Sequence, residues 1–164
     1  MRIKLIILCL FAGMLTTQGT NSPDKKQMKL EKETEMNDLI ESGNFKFIAK
    51  SAHPMSGSSI HLTSTYDLKI DNDTIEALLP FYGRVYRVDY GGEGGIKFKE
   101  QVKTIDKQFN TRKKIHEYIA TVKTNKDVYN IKLSAGLNGY GNLTVSSQNR
   151  QQISFYGIIE PLKK

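Results

Sequence analysis

Apolar residues run almost unbroken from Leu5 to Leu15, then nearly vanish until Leu30. From there Leu30, Met36, Leu39 and Ile40 fall at helical spacing among Glu and Lys, and Gly43 stands where a C-cap glycine belongs. This predicts one helix over 30–42, about three turns long, with a narrow stripe laid against a sheet. At Phe45 the period becomes two. Phe45, Phe47 and Ala49 alternate with Lys46, Ile48 and Lys50 until Pro54 and Ser56-Gly57-Ser58 end the run. Ile60, Leu62, Ser64, Tyr66, Leu68 and Ile70 then share one face of a long strand, closed by the turn residues Asp71-Asn72-Asp73. Beyond a bend at Pro80 and Gly83, a strand is expected from about Arg84 to Tyr90, followed by a glycine loop at 91–95 and a strand-like Ile96-Lys97-Phe98.

The last third alternates most regularly. Residues 114–123, 128–135, 142–147 and 151–159 each read as a strand, and their short connectors make them an antiparallel meander. Tyr129, Ile131, Leu133, Leu143, Val145, Ile153 and Phe155 are its expected inward side chains. The pattern as a whole predicts a mainly β (α+β) fold. About seven to eight antiparallel strands would form a curved sheet, small barrel or sandwich, with one N-terminal helix.

The opening apolar run has a different meaning. Arg2 and Lys4 precede it, and Thr17 and Gly19 offer small residues for cleavage before Thr20. Its 11 residues are too few to span a bilayer, which takes about 20. The expectation is a signal peptide at 1–19, a flexible leader at 20–29 and a single β-rich domain at 30–164. The protein would be exported, periplasmic or extracellular, with no transmembrane span in the mature chain. Cys9 is the only cysteine, and Ile7 and Leu8 before it are not the small residues of a lipid-attachment site. It is read as part of the apolar core of the signal, which leaves the mature domain without disulfide or thiol chemistry.

Charge alters this picture little. Removing Arg2 and Lys4 takes the net charge from +7 to +5, a modest excess that names no partner. The basic residues Lys103, Lys107, Arg112, Lys113 and Lys114 fall in a stretch of weak periodicity, read as a connector. Nucleic-acid binding would need an element for a groove or a stacking platform, and export argues against it.

No motif carries catalysis or a cofactor. His53, His61 and His116 share no metal-ligand spacing. Asp67, Asp71 and Asp73 lack the glycine and glutamate of a calcium loop in either register and are read as turn residues. The glycines at 91–95 and 136–141 precede strands rather than the helix a phosphate loop opens, so they are read as hairpin connectors. No metal and no cofactor is expected. The stretch richest in binding chemistry is Tyr82 to Tyr90. As a strand it places Tyr82, Arg84, Tyr86 and Tyr90 on one face, and tyrosine with arginine buries area while keeping polar tips satisfied. An arginine there must reach solvent or find an acidic partner.

Four segments, in order, are Phe45-x-Phe47-x-Ala49, Tyr66-Asp67-Leu68-x-Ile70, Leu79-Pro80-Phe81-Tyr82-Gly83-Arg84 and Gly94-Gly95-Ile96-x-Phe98. Together they resemble the domain-of-unknown-function 4251 family of exported bacterial proteins, found mainly in Bacteroides-type organisms. The similarity covers about residues 30–160, and the Leu-Pro-Phe-Tyr-Gly-Arg segment is its most specific piece. The resemblance implies an envelope or secreted location and supplies no activity, substrate or catalytic residue.

The resulting expectation is an uncharacterised exported envelope or secreted protein: a non-catalytic β domain binding an envelope glycan or another envelope protein. The alternative is a hydrolase of envelope or extracellular polymers, with scattered carboxylates as acid and base.

Overall fold

A computed structural model describes residues 24–87 and 94–162. Among them one helix precedes nine strands: α1 (Lys25–Ser42), β1 (Asn44–Pro54), β2 (Ile60–Asp71), β3 (Thr74–Leu79), β4 (Ile96–Gln101), β5 (Ile105–Asn110), β6 (Ile115–Lys123), β7 (Val128–Gly136), β8 (Tyr140–Ser147) and β9 (Ile153–Pro161). All pairings are antiparallel in one sheet, ordered β4-β3-β2-β1-β9-β8-β7-β6-β5. The first and last strands therefore lie side by side at its centre. The sheet curls into a half-barrel, so rings from distant strands meet inside it. Phe45 of β1 lies 5.3 Å from Tyr118 of β6, and Phe98 of β4 lies 5.0 Å from Tyr129 of β7.

Alternation explains the curl's filling. One side of each inner strand is apolar and faces inward; Tyr129, Ile131, Leu133, Leu143, Val145, Ile153 and Phe155 are all buried, as the meander predicts. The convex side is polar and laced by cross-strand pairs such as Lys69–Glu76 at 2.8 Å and Lys46–Glu160 at 3.3 Å. Two central strands carry facing glycines. Gly141 and Gly157 oppose each other on β8 and β9, and the Phe47 ring lies against both. A Cβ on Gly157 would overlap the Ile48 carbonyl oxygen, beside the β1 irregularity between Ala49 and Ser51.

Helix α1 covers the end of the curl where Phe45, His116 and Tyr118 lie. Ile40 is fully buried, its carbonyl accepts the Tyr118 hydroxyl, and Gly43 (φ +71°) ends the helix as expected. Asn37 Oδ1 accepts from His116 Nε2–H at 2.9 Å, and Glu33 meets Lys114 at 2.7 Å.

Four expectations are corrected. The strands number nine, above the seven to eight expected. The basic stretch holds an edge strand, β5, whose residues beyond Ile105 are all exposed, so it has no apolar period to betray it. Asp24 caps a helix that begins at Lys25, so the leader expected at 20–29 is helical from there; Leu30, counted in its stripe, is 53% exposed. The strand expected from Arg84 does not form. Residues 80–87 are irregular apart from one bridge, Val85 to Arg150. Pro80 and Gly83 interrupt the run, and the main chain of Arg84 and Tyr86 is bonded to Gln151 and Asn149 of the β8–β9 turn rather than into a strand ladder. The expected signal at 1–19 and residues 88–93 lie outside the described residues.

Candidate functional site

The chain leaves the sheet after Leu79, and residues 80–87 form a strap laid over the β8–β9 turn. Phe81 and Tyr82 are half-buried against the core. Arg150 sets its guanidinium 5.3 Å from the Phe81 ring centre and donates from Nη1 to the Gly95 carbonyl at 2.7 Å. The main chain is then pinned. Tyr86 N–H donates to Asn149 O at 2.7 Å, Gln151 N–H to Arg84 O at 3.0 Å, and Arg84 N–H to Gln151 Oε1 at 3.3 Å.

The side chains divide. Tyr82 serves the core, whereas Arg84 is exposed and Tyr86 is 67% exposed. The single tyrosine–arginine face expected of a strand is thus replaced by a strap that sends one member inward and two outward. Tyr90 lies outside the described residues.

The other candidates resolve into structure. His116 is buried between Asn37 and the Phe109 ring, 4.4 Å away, and burial holds its pKa below the ordinary value against a weaker opposing pull from Glu41. His53 is exposed and bonded to Ser51 at 3.0 Å and Ser59 at 3.1 Å, which stitches the end of β1 to the following turn. Among the described residues no group of His, Cys, Asp or Glu gathers as for a metal. Asp71 and Asp73 bond neighbouring side chains around the β2–β3 turn. Among the described residues, the carboxyls with shifted ionisation all move down: Glu33 through its bond from Lys114, Glu76 from Lys69 and Asp73 from Gln101. A general acid needs the opposite direction.

Two surfaces escaped the sequence reading. An apolar cleft of about 790 Å³ runs between α1, through Met28, Met36 and Leu39, and Leu137 of the β7–β8 turn. A second groove, about 370 Å³, opens on the convex face beside Tyr140 and Tyr156. The available signal was a tyrosine at a polar-parity position of each strand.

The molecule is thus a helix-capped antiparallel half-barrel with a filled interior. The sequence profile of the DUF4251 family, a domain of unknown function, matches residues 27–159, and the chain belongs to that family. Its structure is similar to the crystal structure of a DUF4251 family protein from Bacteroides eggerthii. The TM-score is 0.62 at 13% identity, over 80% of this chain and 88% of that one. At such identity the likeness concerns the fold alone. A comparison with curated proteins finds no match.

Proposed function

We propose that this is an exported, non-catalytic envelope or secreted protein that binds another envelope protein through Arg84 and Tyr86 on the strap. Export is supported by the charged start, the short apolar run and the small residues before Thr20. The observation that carries the binding reading is the contrast within the strap: a main chain pinned to Asn149 and Gln151 beneath side chains left in solvent. Ordering a free loop on binding costs about 1–2 kcal/mol per residue, and a pinned strap has met that cost during folding. Tyrosine and arginine are also the residues on which binding energy concentrates. An outward strap suits a protein surface better than a sugar, which favours a cleft; a glycan ligand is the other outcome of the test.

The hydrolase alternative gains nothing from Glu33, Asp73 or Glu76, each held in its ionised form by a lysine or amide partner. Two experiments test the proposal. Mass spectrometry of the protein from its exporting cell should give a mature chain starting near Thr20 without lipid. Retention of Met1, or acylation at Cys9, would refute that. The tagged mature chain should also co-purify an envelope protein that the Arg84→Ala/Tyr86→Ala double variant does not hold. Equal recovery by both would refute the strap, and a glycan held by the wild type but lost from the double variant would reassign the strap's ligand.

A further inference from the structure

β8 and β9 are inner strands of the sheet, and their convex faces carry Asn142, Thr144 and Ser154. In that polar row stand two tyrosines. The rings of Tyr140 and Tyr156 are nearly parallel, 9° apart with centres 5.8 Å from each other, yet remain 48% and 40% exposed. Cross-strand stacking accounts for their contact with each other. It does not account for what surrounds them, a groove of about 370 Å³, within the roughly 300–1,000 Å³ of small-ligand sites.

Polar groups converge on that groove. Ser134 and Asn142 face each other across β7 and β8, and among the described residues neither side chain has a protein hydrogen-bond partner. The opposite wall is the turn Lys113–Lys114. Lys114 has φ +53° there, and its carbonyl accepts the Leu137 N–H at 3.2 Å, which ties this turn to the β7–β8 turn. Glu33 neutralises Lys114 at 2.7 Å. Lys113 makes no ion pair among the described residues and leaves the groove a net cation.

Aromatic rings beside an unpartnered amide, a hydroxyl and a free ammonium match the chemistry of an acidic sugar. The C–H face of a pyranose packs on aromatic carbon, its hydroxyls exchange hydrogen bonds with amide and hydroxyl groups, and its carboxylate or sulfate pairs with lysine. We infer that this groove is a binding site for acidic oligosaccharides. Tyr140 and Tyr156 receive the sugar ring, Asn142 and Ser134 its hydroxyls, and Lys113 its charge. The site is separate from the strap. Tyr140 opens β8, whereas the strap is bonded to residues just past its end at Ser147, about 25 Å away at about 3.3 Å per residue. Failure of one site therefore leaves the other standing.

The test is calorimetric titration of the mature chain with galacturonate and hyaluronan hexasaccharides, with maltohexaose as the neutral comparator. At least one acidic hexasaccharide should bind, and more weakly as salt rises. Tyr140→Ala/Tyr156→Ala should lose at least about tenfold in affinity, and Lys113→Glu about fivefold or more. Tyr140→Phe/Tyr156→Phe, which keeps the rings, should stay within about threefold of wild type. Arg84→Ala/Tyr86→Ala should bind as wild type does. The inference is overturned by no binding of either acidic sugar, by equal binding of maltohexaose, by an alanine pair as tight as wild type, or by a phenylalanine pair as weak as the alanine pair at unchanged melting temperature.

Discussion

Gly157 pairs with Ala49 beside the β1 irregularity, and the absence of a side chain there lets the Phe47 ring cross two strands. An added methyl would press on both the Ile48 carbonyl and the Phe47 ring, so Gly157→Ala should cost about 1–3 kcal/mol in urea unfolding, the range for overpacked cores. His116 makes a residue-scale prediction with a sign. Burial lowers its pKa from 6.5 in the folded chain, so just below pH 6.5 the unfolded state holds more protons. The stability it contributes is complete above pH 6.5 and declines as pH falls through the lowered folded value. Unfolding of wild type and His116→Gln at pH 7.5 and 5.5 should show the gap between them narrowing at the acid end. A gap independent of pH would contradict this. Tyr118 complements it. Burial, reinforced by the nearby Glu41 charge, pushes its hydroxyl up to about 12, so it stays protonated and keeps donating to Ile40 O.

Among elements, α1 packs its apolar side chains on the sheet through its last turns, with Glu33 tying its middle to Lys114. Ile40, Asn37 and Met36 meet the sheet, while Met28 and Leu30 are 43% and 53% exposed. Ile40→Ala should therefore cost about 2–5 kcal/mol in denaturant unfolding, and Leu30→Ala less than about 0.5 kcal/mol. Similar costs for the two would mean the helix is seated along its whole length. The same contrast explains what the sequence disclosed. The meander from β6 to β9 was legible because each strand buries one face, and alternation is the trace of that burial. β5 left no trace, because an exposed edge strand needs no apolar period. The strap misled for the converse reason. Tyr82, Arg84 and Tyr86 alternate as a strand would, but Pro80 and Gly83 interrupt the run and the segment's main-chain bonds go to Asn149 and Gln151 of a turn instead of a ladder. The groove beside Tyr140 and Tyr156 depends on β7, β8 and β9 meeting two turns, which no local window contains.

At the scale of the whole molecule, the half-barrel spends its interior on packing. Phe45, Phe47, Phe155, Leu133 and Leu143 are fully buried within it, and the chemistry that could meet a partner lies on its outside. The strap is the clearest such surface, since removing Arg84 and Tyr86 side chains takes little from the core. The central claim, that this strap contacts a protein partner, is tested most directly by a photoreactive benzoyl-phenylalanine placed at position 86 in the exporting cell. Ile119, 41% exposed on the convex face, serves as the reference position. A discrete protein adduct from position 86, missing from position 119 and abolished by Arg84→Ala, is the predicted result. No adduct at position 86, or the same adducts from both positions, would contradict the account.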